Sequence, residues 1–159
     1  MKILEWIQVL FGLLAIGSGS IVLHGVLKVE LSRNRVARFL RYSLIASVVG
    51  FVPLTPHMAP IQGICMVSVY CAGAVVLAWR KFRLAGLWRP VFAFFTVGLL
   101  YLNVASVSIR LFRYFSELIM ASAESGSLFG ITEFAFASVF AVLAVLAVRT
   151  CHPQRRHSF

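Results

Sequence analysis

Residues 128–148, LFGITEFAFASVFAVLAVLAV, contain 21 positions and one charged side chain, Glu133. A helix of that length rises about 31 Å, enough to cross a hydrocarbon core of about 30 Å. It is apolar on every face, as a helix surrounded by lipid and other helices must be. Toward the N-terminus, four more apolar runs occupy residues 7–27, 36–54, 61–79 and 91–109. The expected fold is therefore all-α: a polytopic integral membrane helix bundle of five transmembrane helices within residues 1–148. A basic cytoplasmic tail, 149–159, follows. The second run is shorter and opens with Arg38 and Arg41, which would have to snorkel to the interface. A four-helix core, or a re-entrant hairpin over residues 36–79, is the alternative architecture.

Composition supports lipid as the solvent. Of 159 residues, 60% are hydrophobic and 13% charged, about half the usual charged share. The mean hydropathy is +0.92. The net charge of +10 does not imply nucleic-acid binding, because the basic residues sit in short connectors between apolar runs. Lys28, Arg33, Arg35, Arg38 and Arg41 fall in the first connector; Arg80, Lys81, Arg83 and Arg89 in the third; Arg149, Arg155 and Arg156 in the tail. Five crossings put these twelve on one side and only Lys2, Arg110 and Arg113 on the other. The positive-inside rule then places the N-terminus outside and the C-terminus in the cytoplasm. Trp6, Trp79 and Trp88 all fall at expected span ends, where amphipathic rings prefer the headgroup level. The expected partners are anionic lipid headgroups and other membrane subunits, or a second copy of the chain. No nucleic acid is expected.

The connectors differ in kind. Residues 52–60, VPLTPHMAP, place three prolines in eight positions and break any helix there. Between 109 and 121, Leu111, Phe112, Phe115, Leu118 and Ile119 form one helical face. That pattern predicts an amphipathic helix on the outer surface, or an extension of the fourth span. The run Gly17-Ser18-Gly19-Ser20 resembles a signal cleavage region, but Ile21-Val22-Leu23 continue the apolar run, so an uncleaved span is expected.

In lipid, small residues mark helix contacts because they let backbones approach closely. Gly12, Ala15 and Gly19 are the packing candidates on the first span, with Ala137, Ala141 and Ala144 on the fifth. Ser68 with Ala72, and Ala74 with Ala78, offer the same on the third.

The sharpest polar feature is a stripe on span four, Asn103, Ser106, Arg110 and Arg113, at i, i+3, i+7 and i+10. Span five enters from the same side with Glu133, so an Arg110–Glu133 pair is expected, either joining two helices or lining a polar pocket. His24, on span one, has no second intramembrane histidine with which to hold a haem, and His57 sits in the Pro-rich loop. Cys65 and Cys71 are six residues apart, about 240° around a helix, and face different directions. The tail around Cys151 and His152 lacks the paired spacing of a zinc site. With no aspartate, no paired carboxylates and no nucleotide, hydrolase or zinc motif, no catalytic residue, metal or cofactor is expected.

Phe11-Gly12-Leu13-Leu14 followed by Leu23-His24-Gly25-Val26-Leu27-Lys28 resembles the opening helix of DoxX-like proteins, which typically have four spans. Leu77-Ala78-Trp79-Arg80-Lys81-Phe82 with Leu100-Tyr101-Leu102-Asn103-Val104 is similar to an uncharacterised group of bacterial membrane proteins of this size. These resemblances imply a bacterial inner-membrane location and carry no catalytic residue. Three functions are expected, in this order: an accessory or scaffold subunit of a larger membrane assembly, a binder or carrier of a quinone or lipid at Asn103–Arg110–Glu133, and a membrane thiol-redox protein.

Overall fold

The computed structural model describes residues 2–28, 32–51, 59–81, 88–118 and 125–151. They form five α-helices: α1 (Lys2–Leu27), α2 (Arg33–Phe51), α3 (Ala59–Arg80), α4 (Trp88–Leu118) and α5 (Ser125–Cys151). There is no strand among the described residues. Four helices are long and apolar enough to cross a membrane: Trp6–Leu27, Gln62–Arg80, Trp88–Phe112 and Gly130–Thr150. The chain is thus an α-helical bundle with the composition of a membrane protein. The Pro-rich connector with His57, and the tail from His152 onward, lie outside the described residues.

The helix left out of those four is α2, the second predicted span. Arg33, Arg35, Arg38 and Arg41 crowd its first half and lower its hydropathy. Even so, α2 runs beside α1 along most of the bundle. Gly19 of α1 meets Phe39, and Gly50 of α2 meets Gln8. Both steps, 19 to 8 and 39 to 50, are eleven residues, so the helices are antiparallel and stay in register over about 16 Å. At the Gln8 level Gly50 also meets Cys65 of α3.

The predicted outer-surface helix over residues 109–121 is not a separate element. Those of its residues that are described continue α4, which is 31 residues long, through Leu118. No glycine or proline lies between Leu99 and Leu118 to turn the chain. At 1.5 Å per residue α4 is about 46 Å long and outreaches a hydrocarbon core.

The two ends of the bundle differ. One collects the basic termini of α2, α3 and α5 together with the C-terminal end of α1 and the N-terminal end of α4. Its interior is a hydrophobic cluster that includes Val22, Val26, Phe39, Val75, Phe92 and Ala147. Trp79 packs on Phe92 there, with ring centroids 5.6 Å apart. Toward the opposite end the interior becomes polar, with Gln8, Ser47, Asn103 and Arg110 buried. Trp6 meets Tyr114 edge-on at that end, 5.4 Å between centroids.

Close approach centres on α1. Ala15 is fully buried, and a methyl group added at Gly19 would lie 2.7 Å from both Leu100 and the Phe39 ring. One added at Gly12 would lie 2.5 Å from Val107. On α5, Ala137 and Ala144 are half-buried and Ala141 is exposed, while Ala147 is the fully buried alanine. The small-residue face of α5 is therefore rotated from the predicted one.

Gly19→Ala is expected to destabilise the bundle by about 1–3 kcal/mol through overpacking. Gly17→Ala should be neutral within about 0.5 kcal/mol, because nothing lies within 4 Å of the added methyl. Unfolding of both variants in a mixed-detergent titration checks the contrast.

Candidate functional site

Asn103, Ser106 and Arg110 of the α4 stripe look into the bundle, and the Arg113 side chain lies outside what the structure describes. Asn103 is buried; its Nδ2 donates to Ser43 Oγ of α2 at 3.1 Å and to the Leu99 carbonyl at 2.7 Å. One turn along, Gln8 Nε2 of α1 donates to Ser106 Oγ at 3.3 Å. The same amide reaches Cys65 Sγ of α3 at 3.9 Å. Arg110, one turn beyond Ser106 on the same face, is also buried. Asn103, Ser106 and Arg110 thus belong to one polar seam shared by four helices, α1 to α4.

Glu133 is not part of that seam. Tyr101 Oη donates to Glu133 Oε1 at 2.9 Å, and the Tyr101 ring packs on Phe140 of α5, 5.5 Å between centroids. Tyr101 lies two residues before Asn103, about 160° around α4 when each residue turns 100°. It also lies nine residues before Arg110, about 13 Å along the axis. The expected Arg110–Glu133 pairing is therefore replaced by a Tyr101–Glu133 hydrogen bond on the opposite face of α4. A single polar pocket built from Asn103, Arg110 and Glu133 does not exist, because α4 itself stands between its parts.

Asn103 with Ser43, and Gln8 with Ser106, are joined in helix–helix bonds. Ser47 Oγ donates to the Ser43 carbonyl at 2.8 Å and so satisfies itself along α2. Gln8, 3% exposed, keeps an Oε1 with no hydrogen-bond partner among the described residues. These bonds fix which helices are neighbours. Gln8, Ser43 and Cys65 are the seam members that sequence reasoning missed, and Tyr101 is the missed partner of Glu133. A signal existed for two of them. Gln8 is a lone amide in an apolar run, as Asn103 is, and Ser43, Ser47 and Gly50 recur at i, i+4 and i+7.

The other candidates stand apart. His24 is exposed in the last turn of α1. Cys65 is buried, Cys71 is half-buried, and both are free thiols. Among the described residues no three His, Cys, Asp or Glu side chains gather as a metal site would require.

Two grooves open on the outside of the bundle, both between α2 and α3. One, of about 380 Å³, is apolar and lined by Val48, Phe51, Met66, Val69 and Tyr70, with Ser47 and Cys65 at its base. The other, of about 260 Å³, lies at the basic end between Arg33, Arg41 and Arg80, with Leu40 and Trp79 beneath.

Because the two polar groups lie on opposite faces of α4, Arg110→Gln and Glu133→Gln should be additive in stability, with a coupling below about 0.5 kcal/mol. A double-mutant cycle by thermal unfolding in detergent measures it. The same cycle on Asn103→Ala and Ser43→Ala should return a coupling near 0.6 and no more than about 1.7 kcal/mol, the range for interhelical hydrogen bonds in membranes.

Comparison of the chain with protein-family models, curated proteins and solved structures gives no match.

Proposed function

We propose that this chain is a non-catalytic subunit of a larger membrane assembly, attached through the outward face of α5. The observation that carries this reading is how little of α5 its own bundle covers. Only 6% of the α5 span is buried, against half of the α4 span. Its outward face carries Ile131, Phe134, Val139, Val142 and Val145, each more than half exposed. Glu133 is not on that face: it lies about 160° around α5 from it, half-buried and held by Tyr101 of α4. A neighbouring helix packed on Phe134, Val139 and Val142 covers the surface that the bundle leaves open.

The assembly sits, on this reading, in a bacterial inner membrane with the N-terminus outside and the C-terminus cytoplasmic. The crowding of Lys28, Arg33, Arg35, Arg38, Arg41, Arg80, Lys81, Arg89 and Arg149 in connectors and helix ends on one side supports that orientation. A reporter domain fused to the C-terminus should be active only in its cytoplasmic form.

The attachment is tested by photo-cross-linking in native membranes. A photoreactive side chain at Phe134 or Val142 should give a discrete protein adduct, and one at Val48, an exposed position of α2, should not. A chain that yields only lipid adducts at Phe134 and Val142, and that leaves mild detergent as a monomer, refutes the reading.

A further inference from the structure

The two grooves between α2 and α3 are parts of one trough. Arg33, Ala37, Arg41, Leu44, Val48 and Phe51 follow each other at three- and four-residue steps along one face of α2. Arg80, Val76, Gly73, Val69 and Met66 do the same on α3. Leu44 and Gly73, which fall between the basic cleft and the apolar groove, are both exposed. Gly73 has nothing within 4 Å of where a Cβ would stand, so the trough is open at its middle. From Ala37 to Phe51 it runs about 21 Å, more than the depth of one leaflet's hydrocarbon.

Its two ends have opposite chemistry. The basic end presents three exposed guanidinium groups above Leu40 and Trp79. Neither α2 nor α3 contains an acidic residue, so nothing on the two helices neutralises them. The far end is apolar. A ligand that fits both must be an anion at one end and a hydrocarbon chain at the other, and a chain of this composition is surrounded by such molecules.

We propose that the α2–α3 face is a binding site for one anionic phospholipid. Its phosphate lies among Arg33, Arg41 and Arg80, and one acyl chain lies along Leu44, Gly73, Val48 and Val69. Arginine suits the role because its planar donor fork meets phosphate oxygens two at a time. The bound lipid would also explain how α2 tolerates Arg41 beside lipid, since the phosphate neutralises it there. The site does not depend on what covers α5.

The test is a titration of the full-length chain followed by native mass spectrometry, which reads the affinity for the first lipid bound. Phosphatidylglycerol should bind more tightly than phosphatidylcholine. Arg41→Gln and Arg80→Gln should each weaken phosphatidylglycerol roughly fivefold, the effect of about one basic residue at a membrane surface. Arg41→Lys should keep most of the preference. Arg35→Gln and Arg149→Gln, at the same end but outside the cleft, should leave it unchanged. Gly73→Phe starts from a Cβ position with nothing within 4 Å, fills the middle of the trough, and should weaken binding with thermal stability in detergent retained. Equal losses in Arg35→Gln and Arg149→Gln would show only a diffuse surface charge and overturn the site. Glycerol 3-phosphate binding as tightly as the lipid would also overturn it, because the trough would then contribute nothing.

Discussion

The close approach of α1 to α2 and α4 is the contact from which the rest of the bundle takes its register. Gly19 admits the Phe39 ring from α2 and the Leu100 side chain from α4 at the same level. A residue with a Cβ there would force the Phe39 ring and the Leu100 side chain to shift. In lipid the driving force for this contact is dispersion and the release of lipid, both of which fall steeply with distance. With the three helices meeting at this level, eleven residues further along Gln8 is level with Gly50, Ser106 and Cys65.

The interior that results is divided. The basic half is held by apolar packing around Phe39, Val75 and Phe92, while the other half is held by a small number of hydrogen bonds between helices. The two halves have different physics. Apolar packing in lipid is tolerant of rotation, since any well-fitting surface will serve. A buried amide is not, because an unmade hydrogen bond in a low-dielectric interior costs far more than a made one contributes. Asn103 and Gln8 therefore act as registration devices, fixing which face of α4 looks at α1 and α2. The face left over, with Tyr101, takes α5.

That division makes α5 the least integrated helix. It packs on α4 and at a few positions on α1, and most of its surface is turned outward. The apolar run that announced the membrane fold most clearly in the sequence is thus the one the bundle uses least. The two facts share one cause. A helix in contact with several neighbours carries small and polar residues at its interfaces, as α1, α2 and α4 do, and these dilute its hydropathy. A helix that faces lipid on most sides has no such requirement.

The sequence by itself determined the fold class, the number of helices and the crowding of positive charge at one end. These follow from hydropathy, length and charge, which are properties of single segments. It also determined that Asn103, Ser106 and Arg110 share a face, since that is helical periodicity. It did not determine which neighbour that face meets. Glu133 is the only acidic residue in the fifth span and Arg110 its obvious counter-charge, yet the rotation of α4 aims them apart and supplies Tyr101 instead. The small-residue face of α5 was misread for the same reason: alanines at 137, 141 and 144 look equivalent in sequence, and only the position of α4 buries Ala147 while leaving Ala141 exposed. The α2–α3 trough was invisible as well, because its arginines and its apolar lining lie on two helices whose faces meet only in three dimensions. Azimuth around each helix axis is set by the summed contacts of all five helices, and no single segment carries that information.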